Sequence, residues 1–355
     1  MSTSSTISPH ELKPGMIINA DIICNGNLLL AKGTVVKPNY IDQLLAWGIS
    51  TVSVLTDQSS DEEILKNPVQ EFYAQTYKEV GAIIEMFRQE QPLNTSHIFP
   101  LVEKILETVF VNQNSMLLLT GFNNVSDYLH AHSLDVCVFS LITAKAMGLD
   151  YEEIVDLGIA ALLHDIGKIN VSDAILSKPS SLTPEEYEEV KKHSKYGYDL
   201  VLKIPGFKRD VAQIIMQHHE RCDGSGYPRG LNSDEISSLA KIIVVADIYD
   251  ALTSDRVYNK KILPHEAAEY LLCISYSLID PEITKVVLKN IAIYPPGCQV
   301  LLNTNQIAIV VDPNPNMPLR PSLKITTDNA GNPLHKPYHC ELETHPNIFI
   351  KSIFN

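Results

Sequence analysis

The sequence predicts a mainly α protein with a small β/α module at its N-terminal end and a short β-extension at its C-terminal end. Three observations carry that expectation. Apolar residues recur at helical spacing from about residue 70 to 290, turn dipeptides punctuate short β-like pieces before residue 56, and alternation with prolines returns after residue 293. The boundaries that follow are 1–56 for the β/α module, 57–120 for a linker and amphipathic helices, 121–292 for a helical domain and 293–355 for the β-extension.

In the first segment, "MIINADIIC", "NLLLAKGTVV" and "ISTVSVL" read as strands, broken by Pro14-Gly15, Asn25-Gly26 and Lys32-Gly33. Between them "PNYIDQLLAWGI" spaces Ile41, Leu44, Leu45 and Ile49 as a helix, with Pro38 near its start and Gly48 near its end. The polar run "TDQSSDEEILKNP" is a linker. Two amphipathic helices follow, separated by "QPLNTS". In the second, Ile98, Leu101, Val102, Ile105, Leu106 and Val109 form an apolar stripe, fit to pack on the same chain or on the partner of a homodimer. From 125 to 290 the helical pattern breaks at "KPSSLTPEE", "IPGF", "DGSGYPRGLN" and "ILP". The tail, "YPPGCQVLLNTNQIAIVVDPNPNMPLRP", is β-like.

The chain of 355 residues is 45% hydrophobic and 20% charged, as in ordinary globular proteins, and its formal net charge is −14. That balance opposes binding of an extended nucleic acid, while a local Lys or Arg cluster can still hold a small anion. No apolar run approaches the roughly 20 residues of a membrane-spanning helix. "MSTSSTISPHELKPG" has neither the basic nor the apolar region of a signal peptide. The six cysteines form no CxxC pair, which points to a reducing cytoplasm rather than a disulfide scaffold. Residues 1 to 120 show no phospho-receiver pattern.

Chemistry concentrates in the helical domain. "LLHDIGKI" sets His164 beside Asp165, an imidazole and a carboxylate that can share a divalent ion. Lys168 follows His164 by four residues and shares its face if the helix continues, placing a cation where a phosphate would lie. In "VADIYDAL", Asp247 follows an apolar turn, where a carboxylate needs a partner or a metal. Asp250 is an alternative ligand or a surface acid. "YLHAHSLDV" offers His130 or His132, and His193 taken alone reads as a surface histidine. "HHERCDGSGYP" adds His218 and His219 ahead of a glycine-rich loop. Cys222, in that run, is a filler, or a thiol that could be oxidised or bind metal.

Read together, "HSLDV", "LLHDIGKI", "HSKYG", "HHERCDGSGYP" and "VADIYDALTSDRVY" resemble the HD-GYP family, a branch of the HD phosphohydrolases. The resemblance covers about 125 to 260 closely and implies a helical HD-type bundle carrying a binuclear metal site. It implies His132, His164, Asp165 and Asp247 as metal ligands shared by HD enzymes. His193, His218 and His219 match ligands to a second ion, with Asp165 bridging. Some members use a glutamate for a third ion; Tyr128 stands at that position here, so two ions, iron or manganese, are expected. The implied reaction is hydrolysis of cyclic di-GMP to pGpG and/or GMP by a metal-bridging hydroxide. Asp165 and Lys168 would be catalytic, and Lys168, Arg256, Tyr258 and Tyr227 would contact substrate. Asn259 stands where a basic residue is frequent in the family. Asp223, Gly224, Gly226, Tyr227 and Pro228 form the signature loop, with Asp223 fixing the turn and Tyr227 serving substrate, a partner or the fold. Alternatives are a phosphodiesterase preferring pGpG or cyclic GMP–AMP, and a catalytically weak scaffold that binds nucleotide or a GGDEF-type cyclase.

Overall fold

The computed structural model describes residues 4–13, 16, 18–20, 22–24, 27–30, 36, 44, 49, 51–55, 68–119, 128–178, 180–254, 261–291, 293–294, 297–314 and 316–354. The chain divides into two compact units, Met1–Glu71 and Phe72–Asn355.

In the first unit, β1 (Ser4–Ile7) pairs antiparallel with β4 (Val52–Leu55), and β2 (Ile22–Cys24) forms a hairpin with β3 (Asn27–Leu30). Leu12, Ile18, Ile22, Val36, Leu44, Val52 and Val54 are its buried core. The polar β1 has no alternating pattern to announce it; its strand character comes from pairing with apolar β4. Apart from Leu44 and Ile49, the helix expected in "PNYIDQLLAWGI" lies outside the described residues.

The second unit is helical and then β. Its helices are α1 (Pro68–Arg88), α2 (Thr95–Leu119), α3 (Tyr128–Met147), α4 (Tyr151–Leu163), α5 (Asp173–Leu176), α6 (Pro184–Lys191), α7 (His193–Leu202), α8 (Arg209–Gln217), α9 (Ser238–Thr253), α10 (Pro264–Ile274) and α11 (Pro281–Asn290). Their starts are written in local chemistry. Asp150 and Glu153 form a reciprocal capping box on α4, and Thr183 and Glu186 do so on α6 behind Pro184. Asp280 caps α11 ahead of Pro281.

α3, α4 and α9 pack at the centre through Leu134, Leu141, Ile142, Leu157, Ile159, Leu162, Ile242, Ile243 and Val245, all buried. Every member of the Ile98–Val109 stripe on α2 is buried as well, with α2 packed on α3 and α4. The stripe therefore goes into the chain's own core and gives a homodimer no support. A Cβ on Gly158 would come within 2.6 Å of Val102 Cγ1, so glycine permits this close helix crossing. No helix among the described residues is long and apolar enough to cross a membrane.

The tail forms β5 (Gln299–Leu302), β6 (Ile307–Asp312), β7 (Ser322–Thr327), β8 (Pro333–Glu341) and β9 (Ile350–Phe354). They make one antiparallel sheet in the order β8-β7-β6-β5-β9. Burial alternates along β5 and β7, as expected of strands with one face on a core.

Candidate metal centre

The bundle delivers histidines at the ends of its helices. The last carbonyls of a helix have no partner within it. His164 follows α4 and its Nδ1 lies 2.7 Å from the carbonyl of Ala161. His193 follows α6 with Nδ1 2.6 Å from the carbonyl of Val190, and His218 follows α8 with Nδ1 2.5 Å from that of Ile215. Since a carbonyl only accepts, each Nδ1 carries the proton and donates it, leaving each Nε2 with a lone pair. His132, buried on α3, has Nδ1 2.6 Å from Asp250 Oδ2, which orients its ring in the same sense.

Those nitrogens converge. His132 Nε2 lies 3.3 Å from His164 Nε2, and His193 Nε2 lies 3.1 Å from His218 Nε2. Two unprotonated nitrogens so close repel each other unless a cation or a proton lies between them. Asp165 stands between the two pairs. Its Oδ2 is 3.5 Å from the Nε2 atoms of both His132 and His164; its Oδ1 is 3.3 Å from His193 Nε2 and 3.8 Å from His218 Nε2. Oδ1 is buried and receives no hydrogen bond, because the nearby nitrogens offer lone pairs rather than protons. Asp247 on α9 adds Oδ1 at 3.2 Å from His132 Nε2 and Oδ2 at 3.8 Å from His219 Nδ1. His132, His164 and Asp165 form one group able to hold a metal ion; Asp165, His193, His218 and His219 form another. The donor set fits divalent metals with mixed imidazole and carboxylate ligands.

Charge in this pocket follows its burial. Desolvation lowers His164, His193, His218 and His219, the second and third to about 4. Burial also acts to lower His132, but hydrogen bonds to Asp247 and Asp250 outweigh it and raise the ring to about 9. Burial alone would raise Asp165; the Lys168 ammonium and the surrounding imidazoles overcome it and hold the carboxyl well below the usual range. Lys168 Nζ sits 2.5 Å from Asp165 Oδ2. It gets there by a route the helical spacing did not predict. α4 stops at Leu163, and a tight 3-10 turn, Ile166–Asn170, brings Lys168 beside Asp165 rather than onto the face of His164.

A family description, "HD domain", matches residues 123–283, and "KOW domain associated with HD domain" matches 299–355. "Cyclic di-GMP phosphodiesterase PA4108" of Pseudomonas aeruginosa is 34% identical over 248 residues, covering 69% of this chain and 60% of that protein. "Cyclic di-GMP phosphodiesterase" of Thermotoga maritima is 36% identical over 214 residues, covering 58% of each. "3'3'-cGAMP-specific phosphodiesterase 3" of Vibrio cholerae is 37% identical over 182 residues, covering 50% of this chain and 39% of that one. This chain carries an HD domain of the HD-GYP family. The solved structure of Bd1817, an HDG"Y"P protein from Bdellovibrio bacteriovorus, shares the fold, with a TM-score of 0.52 at 19% identity over 80% of this chain and 98% of that one. The chain spans about 60% or less of the lengths of the three relatives named.

The HD-GYP signature loop is clasped to its own base. Glu220 Oε1 and Oε2 accept from the backbone N–H groups of Arg229 and Leu231 at 2.8 and 2.9 Å. Asp223 Oδ1 accepts from the backbone N–H of Ser225 at 3.0 Å, and Tyr227 N donates to the His219 carbonyl at 3.1 Å. A Cβ on Gly226 would stand 2.3 Å from Arg221 N, so only glycine fits; Gly224 has a φ of +80°. Pro228 follows Tyr227 at the end of this turn. The Tyr227 ring lies 4.8 Å from the His219 ring, at the edge of the candidate ligands.

Of the two residues offered by "YLHAHSLDV", His132 enters the centre, while His130 packs against Tyr77 on α1. Asp250 is not a surface acid: it is buried, and its Oδ2 lies 2.6 Å from His132 Nδ1. Cys222 belongs to neither ligand group among the described residues. Arg256, Tyr258 and Asn259 lie outside the described residues, as does the side chain of Tyr128, which opens α3. Sequence reasoning missed Glu220; its place beside two candidate ligand histidines was the available signal, since a carboxylate there must find donors.

Proposed function

We propose that the chain is a metal-dependent phosphodiesterase acting on a cyclic dinucleotide, cyclic di-GMP first. The observation that carries this reading is Asp165, whose two buried oxygens face two separate sets of imidazole lone pairs. His132, His164, Asp165 and Asp247 would hold one divalent ion; His193, His218, His219 and the second oxygen of Asp165 would hold another. Iron or manganese suits this donor set. Two such ions, when bound, lower the pKa of a water between them and neutralise the non-bridging oxygens of a phosphodiester.

The protein's own residues do the rest. The Nδ1 bonds hold the rings of His132, His164, His193 and His218 with Nε2 turned inward, and His132, raised to about 9, would give up its Nε2 proton to an ion. Asp165 bridges the halves of the site, which makes it the residue with no substitute. Lys168, a quarter exposed, supplies a positive charge for the substrate phosphate at the mouth. Tyr227 and the clasped loop close one wall. The relatives named for cyclic di-GMP and for 3'3'-cGAMP support a cyclic dinucleotide and make cyclic GMP–AMP the second substrate to assay.

The test is turnover by the purified chain reconstituted anaerobically with Fe(II) or Mn(II), with cyclic di-GMP and 3'3'-cGAMP in parallel and the products pGpG and GMP separated. Hydrolysis that disappears in a His164→Ala/Asp165→Ala variant supports the reading. Tight nucleotide binding without turnover would instead make the protein a binding scaffold.

A further inference from the structure

The surroundings of α6 carry an inference that rests on the reading of the chain as a cyclic-dinucleotide phosphodiesterase. Tyr187 on α6 is 50% exposed. Lys191 follows it by one helical turn, on the same face, and its Nζ lies 5.1 Å from the centre of the Tyr187 ring. The same Nζ lies 5.7 Å from the centre of the Tyr227 ring. Tyr227 in turn lies 4.8 Å from the ring of His219 and 6.3 Å from that of His193. A continuous row thus runs outward from the candidate ligands through Tyr227 and Lys191 to Tyr187.

The row is held rather than loose. Lys191 Nζ pairs with Glu188 Oε1 at 2.5 Å. α6 itself is fixed at its start by the Thr183–Glu186 capping box, and Lys178 binds Glu186 at 2.6 Å. A partly exposed ring backed by an ammonium, next to a site for a phosphodiester, has the chemistry that receives a nucleobase. Bases stack on aromatic side chains through a π-face that every base presents, with cations adding to the attraction.

We propose that Tyr187, seated on Lys191, stacks a purine base of the cyclic dinucleotide while the phosphodiester occupies the centre around Asp165, with Tyr227 as the inner wall of the same subsite. The ring carries the interaction, and the hydroxyl does not.

Steady-state kinetics of the metal-loaded full chain with cyclic di-GMP test this. Tyr187→Ala should raise KM about tenfold, the scale of one lost base stack, while kcat stays within about twofold. Tyr187→Phe, which keeps the ring, should stay within about twofold of the wild type in both constants. Tyr276→Ala, at a 92% exposed tyrosine that belongs neither to the ligand groups nor to this row, serves as the control and should change neither. An unchanged KM in Tyr187→Ala overturns the proposal, as does a fall in kcat alone or a Phe variant as impaired as the Ala variant. If the wild type itself neither binds nor hydrolyses the dinucleotide, the underlying functional reading fails, and that is visible before any variant is made.

Discussion

His164, His193 and His218 use one device three times: an imidazole just beyond a helix takes up a carbonyl three residues back and turns its other nitrogen inward. His132 achieves the same orientation through Asp250. Asp250→Asn should therefore weaken metal binding by about 10- to 100-fold with the fold retained, measured by chelator competition alongside circular dichroism. The protonation of these rings also sets how the metal-free protein responds to pH. His193 and His218 titrate near 4 when folded and near 6.5 when free, so the unfolded chain binds more protons in that window. Their contribution is present above pH 6.5 and is lost as pH falls to 4. His132, raised to about 9, works the other way and loses its contribution as pH rises from 6.5 to 9. Thermal unfolding of the metal-free protein should give Tm values that fall on both sides of pH 6.5; a Tm that climbs steadily from pH 4 to 9 would contradict this. The motifs made the histidines and Asp165 legible in the sequence, because adjacent ligand types recur there in a recognisable order. The role of Asp250 was not legible: its partner is 118 residues away, and helical spacing gives faces rather than distant partners.

Elements hold these residues by close backbone approach. A Cβ on Gly167 would lie 1.9 Å from the carbonyl oxygen of His193, which presses the turn after Asp165 onto the start of α7. Gly226 does the same where the signature loop crosses Arg221. Gly226→Ala should shift Tyr227 and His219 and reduce turnover on the order of 100-fold, the scale for misplacement by about 1 Å, with helical content unchanged by circular dichroism. One turn along α3 from His132, the hydroxyl of Tyr73 on α1 donates to the buried carboxylate of Asp135. Tyr73→Phe removes that donor and should cost about 1–3 kcal/mol in denaturant unfolding. The α2 stripe was plain in the sequence as an apolar face, but its destination was not. Periodicity reports that a face is buried, and only the packing of α3 and α4 shows against what. The early end of α4 was hidden for a similar reason: "HDIGK" is compatible with helix until Gly167 must pass the backbone of α7.

At the scale of the molecule, residues from α3, from beyond α4, α6 and α8, and from α9 meet at one centre, so metal and fold are linked. A ligand at 100 times its dissociation constant stabilises the folded state by about 2.7 kcal/mol. Loading with Fe(II) or Mn(II) should raise Tm, and a chelator should reverse it. The bundle and the terminal sheet could be read from pattern; β1 could not, since a polar strand is defined by its neighbour. The two ions around Asp165 are the central claim, and anomalous diffraction at the absorption edge of the loaded metal counts them directly. Two peaks flanking Asp165, both lost in Asp165→Ala, are the predicted result. A single peak, or two that do not share Asp165, would contradict it.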